Sequence, residues 1–398
     1  MNIEALQTRH PSSGEDAAPR VVSCRKFYDR ESLMAYDPES EDWQKQLARR
    51  YDTHFEIAQV LNNVEDVPMS TYETFDMKVT PYLAQLMDRD DPNCPIRLQY
   101  LPSMKESLSV RMEHTLADEL GEAEHTVPGT SVVHRYPRRV LFLVTTQCAS
   151  FCRYCTRSRI VSHSGERAIG RADLDASMAY IAGNKEIEDV LLSGGDPLVF
   201  TDRKLDELLG RIRSEAPHVR FLRIGSRLPV QLPTRITPEL CAVIEKHDVQ
   251  MVNIHINHSK EITPLLRSRI RMLRRTGTML GNQSVLLKGI NDDVQVLRDL
   301  FMDCVSMGVR PYYLYQNDQT LQGAHFTVPL SRMLELYEGV RGWISGPAVP
   351  TFVIDGLGGL GKMPVIPTYV EEREGHIECR NYKQERVRMD YLRDGAKI

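Results

Sequence analysis

The chain has 398 residues, of which 41% are hydrophobic and 26% charged, with a formal net charge of −4. This is ordinary globular composition, too long for one small domain, with no basic excess to attract nucleic acid. No stretch approaches the roughly 18–20 uninterrupted apolar residues of a membrane span. The polar start lacks the apolar core of a secretory signal, so the expected location is cytoplasmic, with no membrane partner.

Residues 1–20 are rich in Ser, Pro, Gly and Glu and read as a disordered tail. From 21 to 120 the pattern is helical: apolar residues recur at helical spacing across 43–60, and prolines punctuate the rest. No cofactor motif appears there, which suits a structural helical cap. From 121 to 330 the pattern changes. Six apolar, β-rich runs (139–146, 189–192, 221–225, 250–256, 279–287 and 311–315) alternate with amphipathic stretches at 174–182, 202–215, 238–246, 263–275 and 293–307. Such alternation predicts βαβ units and a parallel sheet, either a partial (β/α)6 barrel or an open doubly wound sheet. In a barrel, chemistry collects in the loops after the strand C-termini. A C-terminal segment, 331–398, holds a further helix at 332–343, a Gly-rich stretch ending in Lys362, and a charged tail after Tyr369 that is expected at the surface.

The first β-rich run leads into Cys148-Ala-Ser-Phe-Cys152-Arg-Tyr-Cys155. Three thiolates can hold three corners of a four-iron cube and leave the fourth iron open for chemistry. A structural zinc site would need a second set of thiolates or histidines nearby, and there is none. The other cysteines (Cys24, Cys94, Cys241, Cys304 and Cys379) are scattered, which favours metal over a disulfide framework. The second run ends in Ser193-Gly194-Gly195-Asp196. Its glycines allow close backbone approach to a ligand, and the Asp can accept from an ammonium; alone, the motif is a β-turn. Ser226 closes the third run. Alternation in the fourth sends Asn253, His255 and Asn257 to one face. In the Gly-rich stretch, Gly356-x4-Gly361-Lys362 is followed by Met363 where a P-loop needs Ser or Thr. The alternative use is a lysine on a flexible loop that forms an imine with pyridoxal 5′-phosphate.

Cys148 to Arg157 resembles the signature of radical S-adenosylmethionine (SAM) enzymes, and more closely that of the lysine 2,3-aminomutase family; the likeness extends over roughly 116–369. The resemblance implies a [4Fe-4S] cluster on Cys148, Cys152 and Cys155. It implies SAM contacts at Ser193, Gly194, Gly195, Asp196, Ser226 and His255. Pyridoxal phosphate would sit on Lys362, with Arg135, Tyr136 and Arg139 at its phosphate and Gln283 and Tyr315 near its ring. Arg157 would clamp the substrate carboxylate, and Asp318 and Asp355 would read its far end. Two neighbouring carboxylates need a cation between them, which disfavours glutamate and makes L-lysine the first choice, giving β-lysine. L-Arginine is the competitor, because a guanidinium also bridges two carboxylates. A protein lysine on a translation factor is a third alternative. A flavodoxin or ferredoxin would donate the electron, and a homo-oligomer is implied. Leu357 and Leu360 depart from the family's Gly-rich pattern and are expected to alter the pocket wall. Only Cys379 stands where some members place zinc ligands, so no zinc is expected.

Overall fold

The computed structural model describes residues 27–65, 67, 68, 71, 75–109, 118–161, 169–374 and 376–390; the expected disordered tail lies outside them. Nine strands form one sheet whose spatial order follows the chain. They are β1 (Val132–Tyr136), β2 (Arg139–Thr145), β3 (Asp189–Gly194), β4 (Phe221–Ser226), β5 (Met251–Ile254), β6 (Met279–Leu286), β7 (Arg310–Gln316), β8 (Thr351–Gly356) and β9 (Gly361–Pro364). β2 through β8 are parallel, and β1 and β9 close the two edges antiparallel. With helices between successive parallel strands, this is a partial α/β barrel. The six predicted strands are β2 to β7.

The helices between strands follow one recipe. Asp202–Glu215 buries Leu205, Leu208, Leu209 and Ile212, spaced three and four apart, against the sheet. Its first turn is capped by the Thr201 hydroxyl, which accepts from the Lys204 backbone N–H at 3.3 Å. Thr237-Pro238 and Thr263-Pro264 start two later helices, Pro238–Lys246 and Pro264–Arg274, in the same way, with proline where no N–H is needed.

Three features differ from the sequence expectation. A seventh parallel strand, β8, carries the sheet into the C-terminal segment, and the lysine expected on a flexible loop lies in β9, its antiparallel partner. Asp355 and Lys362 are directly opposite in that hairpin, so strand pairing holds the lysine in register. The apolar stretch 43–60 is two short helices, Trp43–Ala48 and His54–Ala58; between them Tyr51 forms a β-bridge with Val79. The charged tail forms a separate antiparallel sheet of β10 (Val370–Arg373), β11 (His376–Arg380) and β12 (Arg386–Asp390). Its strands have no fully buried face, and so no apolar alternation.

The N-terminal helices build their own core, with Tyr51, Ile57, Leu83, Ile96 and Tyr100 fully buried, and they brace the cysteine loop. The Phe151 N–H donates to Lys78 O and the Arg153 N–H to Gln99 O, both at 2.9 Å, and Arg50 donates to Cys148 O at 3.0 Å. The buried Arg153 guanidinium pairs with Glu106 at 2.9 and 2.5 Å and donates to Asp76 O at 2.7 Å. Among the described residues no helix is long and apolar enough to cross a membrane.

Candidate active site

The loops at the C-terminal ends of the parallel strands, the β8–β9 hairpin and the chain before β2 enclose a cavity of about 360 Å³. Every residue that the resemblance assigns to the cluster, SAM, pyridoxal phosphate or the substrate lines it. Cys148, Cys152 and Cys155 sit at one end, and Phe75, Phe151 and Val161 pack beside Cys148 and Cys155. Burial, then the charge of Asp196, pushes the Cys148 thiol well up; burial and Cys152 push Cys155 up to about 12. Such thiols lose their protons when a metal takes the proton's place. Among the described residues no three His, Cys, Asp or Glu side chains are arranged to hold a single ion. A cube does not ask for that, since each thiolate binds its own corner iron.

Next to the cysteines, β3 ends on a turn that only glycine permits. Gly194 has φ +121°, and a Cβ there would stand 2.2 Å from Thr145 O; one on Gly195 would stand 2.2 Å from Gln147 O. Asp196 departs from expectation. Its carboxylate accepts from Ser226 Oγ at 2.7 Å, from the Leu198 N–H at 3.0 Å, and from the Arg227 and Leu228 N–H groups at 2.8 Å. A carboxylate offers about four acceptor positions. All are taken by the chain, so Asp196 ties the ends of β3 and β4 together and leaves no acceptor for an ammonium. His255 has a buried Nε2 with no partner. Burial first, then the charge of Arg227, holds its pKa well below the usual imidazole range, so the ring is neutral. Asn253 also faces the cavity with its side-chain amide unpartnered. Asn257 does not share that face: β5 ends at Ile254, and Asn257 turns into the core to donate to Tyr154 and Gln99 at 2.6 and 3.0 Å.

At the opposite end, Lys362 Nζ donates to Asp355 Oδ1 and Oδ2 at 2.9 and 3.2 Å and lies 5.0 Å from the centre of the Tyr315 ring. Gln283 donates to the Tyr315 hydroxyl at 3.3 Å. Arg139 stacks on Tyr136 at 3.9 Å. Arg135 donates to Leu120 O through Nη2, while its buried Nε has no partner. Leu357 and Leu360, expected on the pocket wall, are instead 64% and 83% exposed. The tight turn between β8 and β9 directs them to solvent.

Residues 142–300 match the radical SAM superfamily, and residues 337–386 match the C-terminal family Lysine-2,3-aminomutase. The L-lysine 2,3-aminomutase of Fusobacterium nucleatum is 43% identical over 352 residues, covering 87% of this chain and 81% of that one. The L-lysine 2,3-aminomutase of Bacillus subtilis is 44% identical, covering 86% and 72%. The chain belongs to the lysine 2,3-aminomutase family of radical SAM enzymes. Its family therefore supplies a four-iron cluster and SAM, and makes it an isomerase. A glutamate 2,3-aminomutase of Clostridioides difficile is also similar, 34% identical over 88% of this chain and 83% of that one, so family membership alone leaves the amino acid open.

Two buried acids before β1, Glu122 in the cavity wall and Glu119 near Asp318, are features that no sequence motif announced. Glu122, just 5% exposed, accepts from Arg157 Nε at 3.0 and 2.9 Å and from Nη2 at 2.6 Å; Arg157 Nη1 reaches Ser193 Oγ at 3.2 Å. The edge of the guanidinium that Glu122 holds is therefore closed to any other carboxylate. Burial, then Asp355, raises the Asp318 pKa to about 7. Glu119 is 4% exposed with both carboxylate oxygens unpartnered, and burial followed by Asp318 raises its pKa to about 8. Its backbone O accepts from the Gly358 N–H at 3.0 Å, which ties residue 119 to the lysine hairpin. Only the fold could reveal Glu119 and Glu122, because both precede β1 and no periodicity marks them.

Proposed function

We propose that this protein is an amino-acid 2,3-aminomutase that moves the α-amino group of a cationic L-amino acid to C3, converting L-lysine to β-lysine, with pyridoxal phosphate as second cofactor. One observation carries the reading: the cysteine trio and Lys362 line a single cavity with carboxylates at its far end. Cys148, Cys152 and Cys155 would hold the cluster, which with SAM would supply radical chemistry at that end of the cavity. Pyridoxal phosphate, when bound, supplies a carbonyl to take up the amino group and a ring that spreads an unpaired electron.

The chain's own residues suit these groups. Lys362 would hold the pyridoxal, and Asp355 Oδ1, at 2.9 Å, is the acceptor for the proton that Nζ must shed to become a nucleophile. The unpartnered Arg135 Nε, with Arg139 and Tyr136 beside it, supports a phosphate there. The unpartnered His255 Nε2 and the glycine turn at Gly194–Gly195 support SAM; Ser193, Ser226 and Asp196 would shape that turn. Arg157 would take the substrate carboxylate on the guanidinium edge that Glu122 leaves open. Phe75, Phe151 and Val161 keep water from the radical end. Once Lys362 is committed to the cofactor, Asp318 and Asp355 lose their neutralising ammonium, which supports a substrate that brings a cation. On this reading a zinc ion has no role. The protein would work in the cytoplasm and draw its electron from a flavodoxin or ferredoxin.

A second reading, L-arginine to β-arginine, is favoured by Glu119. A third buried acid beside Asp318 matches a guanidinium, whose planar fork has five donors, better than a compact ammonium with three. The test is anaerobic incubation of the reconstituted protein with SAM, reductant, pyridoxal phosphate and each amino acid. β-Lysine is expected. β-Arginine without β-lysine replaces the first reading by the second. No amino-shifted product from any cationic amino acid, with cluster and SAM bound, refutes both. Borohydride trapping tests the cofactor separately: a pyridoxyl group on Lys362 is expected, and none is expected in Lys362→Ala.

A further inference from the structure

Arg227 follows β4 and is 7% exposed. Its guanidinium lines the cavity with Nε unpartnered, and both of its Nη groups are engaged. Nη1 donates to Cys152 Sγ at 2.8 Å, and Nη2 donates to Gln99 Oε1 at 2.6 Å and lies 3.5 Å from Glu261 Oε1. The rings of Tyr100 and Tyr154 flank it at 4.8 and 5.2 Å. Its backbone N–H is held by Asp196, the residue that ties β3 to β4. Four elements thus converge to seat one cation on one of the three cluster sulfurs. Gln231 adds a second, longer contact to the same sulfur at 3.5 Å.

We propose that Arg227 sets the reduction potential of the cluster by holding a buried positive charge and a hydrogen bond on Cys152. One electron, from a low-potential flavin or iron–sulfur donor, enters the cube; no bond breaks at Cys152. No proton moves either, since an arginine remains protonated. The added negative charge spreads onto the sulfurs. A largely buried cation 2.8 Å from one of them favours the reduced state more than the oxidised one. Hydrogen bonds to cluster sulfur act in the same direction. Arg227 is therefore a positioning residue for electron entry, acting through Cys152. The inference rests on the family's cluster and is independent of which amino acid the enzyme takes.

The test is an EPR-monitored redox titration of the reconstituted full-length protein, with iron and sulfide quantified. R227Q is expected to lower the midpoint by about 59 mV or more, which is a tenfold change in a one-electron equilibrium. R227Q strands the buried Glu261, so R227Q/E261Q, which removes both charges together, guards against a folding failure and is expected to shift in the same direction. R227K keeps the charge and the ion pair but loses the fork, so a smaller shift of the same sign is expected. An unchanged midpoint in whichever of these variants carries a full cluster overturns the proposal. A residue that served only the fold would change cluster content and leave the midpoint of the loaded fraction where it was.

Discussion

Asp318→Asn separates the distal carboxylates from the rest of the cavity. Burial, then the charge of Asp355, moves Asp318 from its ordinary value of 3.8 to about 7. The folded chain therefore holds a proton that the unfolded chain has already released. The stability tied to that proton is full below the unfolded value and is lost as pH rises towards the folded one. Each pKa unit is worth about 1.36 kcal/mol, so the shift sets an upper bound of ~4 kcal/mol. Relaxation and water entry reduce this to about 1–3 kcal/mol. The neutral variant lacks this penalty. Its stability advantage over the parent, measured by urea unfolding without ligands, is expected to grow by about 1–3 kcal/mol between roughly pH 5 and pH 8. The same substitution removes a charged acceptor for the substrate, worth about 1.5–3 kcal/mol. Affinity for the cationic amino acid is then expected to fall ~10- to 150-fold, with no loss for a neutral analogue of equal length. A stability difference independent of pH, or equal losses for charged and neutral analogues, would refute the reasoning.

Affinity for the cationic substrate is expected to rise with pH through about 8, as Glu119 loses its proton, and Glu119→Gln should flatten that profile in an equilibrium binding titration. Gly194→Ala places a methyl group 2.2 Å from Thr145 O at φ +121°; overpacking of about 1–3 kcal/mol and weakened SAM binding by calorimetry are expected. Glu106→Gln strands the buried Arg153 guanidinium; a loss of about 3–5 kcal/mol and a lower iron content after reconstitution are expected, although Glu106 touches no cysteine sulfur. Arg157→Lys loses the paired hydrogen bonds to Glu122 and should raise KM for the amino acid by about tenfold or more, read in steady-state kinetics with cluster content unchanged.

Chemistry confined to one short segment was legible in the chain. The cysteine spacing, the glycine turn after β3 and the strand–helix alternation all depend on nearest neighbours along the sequence, and a local pattern suffices to recognise them. Tertiary structure decided what distant residues do to one another. Asp196 looked free to bind a ligand until four donors, from its own turn, the end of β4 and the two residues after it, were seen to occupy it. Lys362 looked like a loop residue until β8 supplied a strand for it to pair with. Glu119, Glu122 and Arg227 acquire their roles from partners far away in sequence or from burial alone. A buried charge is governed by its surroundings in three dimensions, and the order of residues along the chain does not record them.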